Sequence, residues 1–149
     1  MGVLIEEKIE NDVTSTHHEM LAWHPRNDWL AIVSYNAQIG GQVHFFKHQI
    51  EKVNHKPVQK ANCKVTKISW HPELILLLIG WENGDVTLRY ADEEKDEYSI
   101  TVDNGPLNKV TCLAWNSSLE NEFCIADEVL FLFLLFLLFI IISLLFKSF

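Results

Sequence analysis

The chain has 149 residues, three cysteines and a formal net charge of −8. Its acidic balance, with lysine and arginine scattered along the sequence, excludes the basic patch by which nucleic-acid-binding proteins neutralise phosphates. We therefore expect a protein partner and no nucleic acid. Cys63, Cys112 and Cys124 form no Cys-x-x-Cys pair, which favours reduced cytosolic thiols over a disulfide framework.

The N-terminus predicts a short strand, Val3 to Ile5. Acidic residues flank this apolar run, whereas a signal peptide would carry basic ones. Glu6 stands where a myristoylation motif requires Ser or Thr. We therefore expect the chain to begin in the cytosol.

The first of three similar units is predicted at about residues 19–56. A turn from His24 to Asp28 separates its first two strands, and Asn36 to Gly41 form a second turn. Its four expected strands are Met20 to Trp23, Trp29 to Tyr35, Gln42 to Lys47 and Glu51 to His55.

The second unit, residues 64–103, shows the pattern best. Thr66, Ile68 and Trp70 alternate with polar residues, which is the two-residue period of a strand. Pro72 closes this strand because proline has no N–H to donate. The other expected strands are the apolar run Leu74 to Gly80, which is typical of a strand buried on both faces, then Asp85 to Tyr90 after a turn at Gly84, and Tyr98 to Val102.

The third unit, residues 109–127, begins in the same way and then stops. Thr111, Leu113 and Trp115 share one face of its first strand, and Phe123 to Ala126 is the expected second strand. The pattern ends where a third strand would begin.

The repeat itself sets the fold class. Trp23 and Trp70 each begin a Trp-His-Pro motif, Trp115 stands in a matching context, and the steps between them are 47 and 45 residues. A period of this length predicts four-stranded propeller blades, and another antiparallel β sandwich is the alternative. The residue before each Trp is small, which suits the crowded centre of a radial array; these residues are Ala22, Ser69 and Ala114.

These units resemble WD repeats, although the Trp-Asp pair that names them is absent. The stretch Ile68-Ser69-Trp70-His71-Pro72, followed by Ile79-Gly80-Trp81-Glu82-Asn83-Gly84-Asp85-Val86-Thr87, resembles the N-terminal propeller of the intraflagellar transport protein 140 family. Leu21-Ala22-Trp23-His24-Pro25-Arg26 resembles its first blade. The similarity covers roughly Val3 to Asp127.

The resemblance implies a non-enzymatic scaffold of intraflagellar transport complex A. Such a protein acts in retrograde ciliary transport and cilium assembly, in the cytoplasm and at the cilium or its base, with other complex A subunits as partners and no cofactor. We expect the repeat positions to be structural, with no catalytic, cofactor-binding or metal-binding role. They are Trp23, Pro25, Trp70, Pro72, Gly80, Gly84 and Trp115.

The C-terminal segment Val129 to Phe146 has one polar residue, Ser143. A helix of 18 residues would be about 27 Å long, close to the hydrocarbon core of a bilayer. A C-terminal membrane anchor is therefore one interpretation, and a buried core segment is a second. A third is genetic, since Phe, Leu, Ile and Val codons all carry U in second position, so a translated T-rich noncoding stretch would have this composition.

The histidine spacings favour ordinary surface residues over a metal site. The spacing of His44 and His48 would place both on one face only in a helix, whereas a strand is predicted there, and no further ligand completes a tetrahedral site. His24 and His71 recur with the turn, which favours structure over catalysis. No nucleophile motif is present, so we expect no enzyme.

The expected architecture is an all-β, incomplete WD-repeat-like propeller of about two and a half blades over residues 1–128, followed by a hydrophobic helix over 129–146. Because open repeat ends expose apolar faces, we predict that residues 1–128 alone will not form a monodisperse domain with a cooperative melt. The alternatives to a transport scaffold are a C-terminally anchored membrane protein displaying a cytosolic β-rich segment, and a truncated product without function.

Overall fold

A computed structural model of the chain describes residues 21–47, 51–53, 56–92, 98–100, 108–116 and 122–129. These residues form eleven β-strands in three antiparallel sheets. The expected all-β class is therefore confirmed for the part of the chain that the structure describes. The strand expected at Val3 to Ile5 lies outside it.

The first sheet contains five strands in the order β1-β2-β3-β4, with β5 also paired to β3. They are β1 (Leu21–Trp23), β2 (Trp29–Asn36), β3 (Gly40–Lys47), β4 (Glu51–Lys52) and β5 (Val58–Lys60).

The outer edge of this sheet differs from the sequence prediction. One continuous fourth strand was expected from Glu51 to His55, but two short strands, β4 and β5, pair with opposite ends of β3. Pro57 lies directly before β5, and a proline has no N–H to add to a ladder. The strand β5 was not predicted and follows the expected end of the first unit at residue 56.

The second sheet has four strands in sequence order: β6 (Val65–Trp70), β7 (Leu76–Trp81), β8 (Val86–Tyr90) and β9 (Tyr98–Ile100). All six residues of β7 are buried, as predicted for a strand covered on both faces, but the strand begins at Leu76 and Leu74, its expected first residue, is 41% exposed. Gly84 has a φ of +88° in the turn that follows, a conformation that glycine adopts without steric penalty.

The third sheet pairs β10 (Val110–Trp115) with β11 (Phe123–Asp127). Its first strand has the same irregularity as β6, because the register shifts at Val65/Lys67 in one and at Val110/Cys112 in the other. At each shift a threonine hydroxyl donates to a carbonyl of the neighbouring strand, Thr66 to Gly80 over 3.1 Å and Thr111 to Ala126 over 3.2 Å.

The two faces of each sheet are named here from its tryptophan-bearing strand, which is β1, β6 or β10. We call the face that carries the tryptophan the leading face; residues opposite each other in the ladder share it, as Trp70 and Leu77 do. The other face is the trailing face, on which Ser69 lies opposite Leu78. The leading face of the second sheet packs on the trailing face of the first, in a core that includes Trp29, Ala31, Val43, Phe45, Trp70, Leu77 and Ile79.

The second and third sheets meet in the same way. Leu78, Val86 and Leu88 of the second sheet pack against the leading face of the third, which carries Leu113, Trp115, Phe123 and Ile125. The sequence repeat is therefore accompanied by a repeated packing arrangement, in which the leading face of one sheet covers the trailing face of the sheet before it.

The hydrophobic helix expected over 129–146 falls outside the described residues except for Val129, which is exposed. Within the described ranges, no helix is long and apolar enough to cross a membrane.

Candidate functional site

The two Trp-His-Pro motifs lie where neighbouring sheets meet. Trp70, at the end of β6, is 7% exposed, and its indole Nε1 donates to the carbonyl oxygen of Ala22 in the first sheet over 2.8 Å. Trp115 repeats this contact one sheet further on, where its Nε1 donates to the carbonyl of Ser69 over 3.0 Å. Each tryptophan thus binds the residue just before the preceding tryptophan.

His24 makes the reverse connection from the first sheet to the second. Its Nδ1 accepts the backbone N–H groups of Arg26, at 3.1 Å, and Asn27, at 3.0 Å. A neutral imidazole whose Nδ1 accepts carries its proton on Nε2, and this tautomer follows from the hydrogen-bond network. Nε2 lies 2.9 Å from the carbonyl of Leu74 and donates to it.

His71 closes its own turn identically. Its Nδ1 accepts the N–H groups of Glu73 and Leu74 over 3.1 and 2.9 Å. The imidazole also meets the indole of Trp115 at 4.7 Å between ring centroids and 72° between planes, a T-shaped contact of the kind aromatic pairs favour.

We call the paired contacts of one tryptophan with the preceding Trp-His segment a junction. At the first junction, Trp70 donates to the first sheet while His24 donates to the second, so backbone acceptors on both sides are satisfied. Because both nitrogens of His24 are engaged, the imidazole has a structural role in the turn. Pro25 and Pro72 lie within these turns, directly after the histidines.

Gly80 lies where the second and third sheets approach each other. A Cβ built on Gly80 would lie 2.6 Å from Cγ1 and 2.9 Å from Cβ of Val110, closer than real Cβ atoms come. The strand β7 can therefore approach β10 only if residue 80 has no side chain. Gly84 has a different role, since its positive φ shapes the turn before β8.

Trp23, the first tryptophan of the series, differs from Trp70 and Trp115. Trp23 is 52% exposed and Leu21 is 53% exposed, although the equivalent Trp70 and Ile68 pack in the core between sheets. The described residues offer no hydrogen-bond acceptor to the Trp23 indole. On the leading face of the first sheet, the β1 side chains are therefore exposed, whereas Leu30 and Phe46 on the same face are 3% and 4% exposed.

Two ion pairs at the surface also join the first sheet and its turns to the second. Arg26 and Glu73 approach to 2.8 Å between the two turns, and Lys60 pairs with Asp85. The hydrogen bond from Lys60 lowers the pKa of the Asp85 carboxyl despite some desolvation. Exposed pairs of this kind contribute at most about 1 kcal/mol, so the buried Trp and His contacts dominate the junction.

His44 is the histidine with a perturbed environment. It lies on β3 with 9% of its surface exposed, and its Nε2 has no hydrogen-bond partner within the described part of the chain. Burial, and secondarily the charge of Lys52, lowers the pKa of His44 below its ordinary value. His44 is therefore held neutral near pH 7.

Among the residues that the structure describes, no group of three or more His, Cys, Asp or Glu side chains could hold a metal ion. His48, the other half of the spacing considered from sequence, lies outside those residues, as do His17, His18 and His55.

The sequence did not reveal the acceptors of these junctions. They are the backbone carbonyls of Ala22, Ser69 and Leu74, and a carbonyl has no side-chain signature. The available signal was the similar offset between tryptophans, 47 and 45 residues, which implies that Trp70 and Trp115 have equivalent neighbours in the units before them.

The comparison with protein families agrees with this architecture. A family model described as the IFT140 first beta-propeller matches residues 2–134, a span that includes all three sheets and both junctions. The chain therefore belongs to the IFT140 first beta-propeller family.

Proposed function

We propose that this chain is a non-enzymatic interaction module of intraflagellar transport complex A, acting in retrograde ciliary transport and cilium assembly. Its partners are other complex A subunits, and it acts in the cytoplasm and at the cilium or its base. The observation that carries the proposal is the family match over residues 2–134.

The geometry of the junctions supports a scaffolding role. A histidine can act as a general acid or base only when a ring nitrogen is available to substrate, and His24 has both nitrogens occupied by the turn and by Leu74. We propose that the seven repeat positions maintain the stacking of sheets, and that partners bind the surfaces this stacking displays.

The test is binding to purified complex A subunits. The full chain carrying an affinity tag is incubated with each subunit and recovered, alongside Trp70→Asp, which places a charge in the core of the first junction. Leu74→Ser is the matched control, because the Leu74 side chain is 41% exposed and its backbone carbonyl is unchanged.

We expect the unaltered chain and Leu74→Ser to bind the same subunit, and Trp70→Asp to lose binding. The same ranking is expected for accumulation of the tagged chain at the ciliary base in ciliated cells. The proposal fails if no complex A subunit binds the unaltered chain, or if Trp70→Asp binds as well as the control.

A further inference from the structure

The second sheet makes its junction contacts to both neighbouring sheets through one short segment. Residues 69–74, which we call the coupling segment, run from the end of β6 into the turn before β7. Two residues of this segment contact the first sheet. The Trp70 indole donates to the Ala22 carbonyl over 2.8 Å. The Leu74 carbonyl accepts from Nε2 of His24 over 2.9 Å.

Two other residues of the coupling segment contact the third sheet. The Ser69 carbonyl accepts the indole N–H of Trp115 over 3.0 Å. The imidazole of His71 meets the same indole edge to face, with ring centroids 4.7 Å apart. Contacts to the third and first sheets therefore alternate along six residues of chain, and neither set can be moved without the backbone that carries the other.

One link between the two junctions is a single peptide unit. The Ser69 carbonyl and the Trp70 N–H belong to the same peptide group, which is planar and rotates as a rigid body. The Trp70 ring is held in the first sheet, where its centroid lies 6.0 Å from that of Phe45. When Trp70 leaves this position and its backbone turns, the acceptor that Trp115 uses turns with it. That hydrogen bond then weakens, because its strength depends steeply on its angle.

A second link runs through the turn. His71 Nδ1 accepts the N–H of Leu74 over 2.9 Å, and the carbonyl of the same Leu74 accepts from His24. The first and third sheets are thus joined by the series His24, Leu74, His71 and Trp115, through two hydrogen bonds and one ring contact. Moving the His71 ring away from Trp115 also removes the acceptor that fixes Leu74.

We propose that the coupling segment makes the two junctions open and close as one cooperative unit, so that a change at either junction is transmitted to the other. Proteins open locally in cooperative units that often coincide with supersecondary motifs, and this unit extends over three sheets. By linkage, a molecule that stabilises one junction on binding also stabilises the other. The inference holds for a partner of any kind and does not rest on the proposed function.

Amide hydrogen exchange of the full chain in reducing buffer, resolved by mass spectrometry, tests this transmission. Trp115→Phe removes the donor to the Ser69 carbonyl and keeps an aromatic ring in place. The readout is taken in the first sheet, in the turn that His24 holds. The N–H groups of Arg26 and Asn27 are hydrogen-bonded to its imidazole there, and neither residue has a contact with Trp115 among those described above.

Two comparisons separate transmission from general destabilisation. Cys112→Ser is the matched control, because Cys112 shares β10 with Trp115 but is exposed. The strand β5 reports on the far part of the first sheet. It pairs with the beginning of β3, whereas the turn of His24 adjoins Trp29, which pairs with the end of β3.

We expect Trp115→Phe to speed exchange at Arg26 and Asn27 about fivefold, the effect of losing one neutral hydrogen bond, and to speed it by the same factor in the coupling segment. Cys112→Ser should leave both regions unchanged, and β5 should be unchanged in both variants. Unchanged exchange at Arg26 and Asn27 in Trp115→Phe would overturn the proposal, because the junction of Trp115 would then open by itself. An equal increase in β5 would also overturn it, since the whole chain would then have been destabilised.

The reciprocal variant is Trp70→Phe, which removes the donor to the Ala22 carbonyl. Because coupling between two sites is mutual, exchange should also increase in the third sheet, at the Asn116 N–H that donates to the Glu122 carbonyl at the end of β10. An increase confined to the first and second sheets would contradict the coupling.

Discussion

The imidazole of His24 and the indole of Trp70 meet edge to face, with ring centroids 5.3 Å apart and an interplanar angle of 66°. They come from different sheets, and each donates a hydrogen bond to the backbone of the other's sheet. This pairing explains why Trp and His recur as neighbours in the sequence. The histidine of one unit contacts the tryptophan of the next unit, and the tryptophan beside that histidine is the residue type that contacts the preceding unit.

Replacing Trp70 by Phe tests the hydrogen bond of the first junction. The ring stays in the core, but the Ala22 carbonyl loses its donor, so we expect the opening free energy of β6 to fall by about 1 kcal/mol. Amide hydrogen exchange resolved by mass spectrometry measures this local stability. Trp23→Phe is the control and should change it by less than about 0.5 kcal/mol, as exposed sites do; equal effects would contradict the assignment.

Replacing His24 by Asn isolates the Nε2 contact. An asparagine oxygen can still accept the turn N–H groups of Arg26 and Asn27, but it cannot reach Leu74 as Nε2 does. We expect a loss of about 1 kcal/mol in the exchange stability around Leu74. His24→Ala, which also removes the turn acceptor, should lose more, whereas an unchanged exchange stability in His24→Asn would show that the Nε2 contact contributes nothing.

Replacing Gly80 by Ala should separate the second and third sheets. The added Cβ would lie 2.6 Å from Val110 Cγ1, and overpacking of this kind typically costs about 1–3 kcal/mol. We expect faster hydrogen exchange in β10 and β11. Adding Val110→Ala removes the closest atom and should recover part of the loss, a coupling that a double-mutant cycle detects; strictly additive effects would contradict the contact.

Lowering the pH should destabilise the first sheet through His44. Because burial lowers the pKa of folded His44 below its unfolded value of about 6.5, the unfolded state binds the proton more readily. The stability that neutral His44 provides is fully present above about pH 6.5 and is lost as pH falls toward the folded pKa.

Hydrogen exchange of β3 between about pH 8 and pH 5, corrected for the intrinsic rate, measures this loss, and most carboxylates remain ionised in that window. His44→Gln removes the titrating group and should give a flatter pH dependence than the unaltered chain. Parallel profiles for the two chains would show that His44 does not govern the pH dependence of exchange in β3.

The strand positions were largely predictable because alternation and turn chemistry are local. The apolar run before Gly80 predicted a strand buried on both faces, and β7 has that environment. The glycine after Asn83 predicted a turn, and Gly84 has the positive φ that such a turn requires. The outer strand of the first sheet was not predictable, since a three-residue strand after Pro57 carries too little pattern.

The sequence by itself determined the period of the repeat, the all-β class and the approximate positions of most strands, because the recurring motif, the alternation and the turn residues can be read along the chain. The tertiary structure alone decided what each tryptophan does. Trp23 and Trp70 stand in the same Trp-His-Pro motif, yet they are 52% and 7% exposed. The difference arises because the acceptor and the apolar cover of Trp70 belong to the first sheet, whereas no sheet among the described residues packs on Trp23 in the same way.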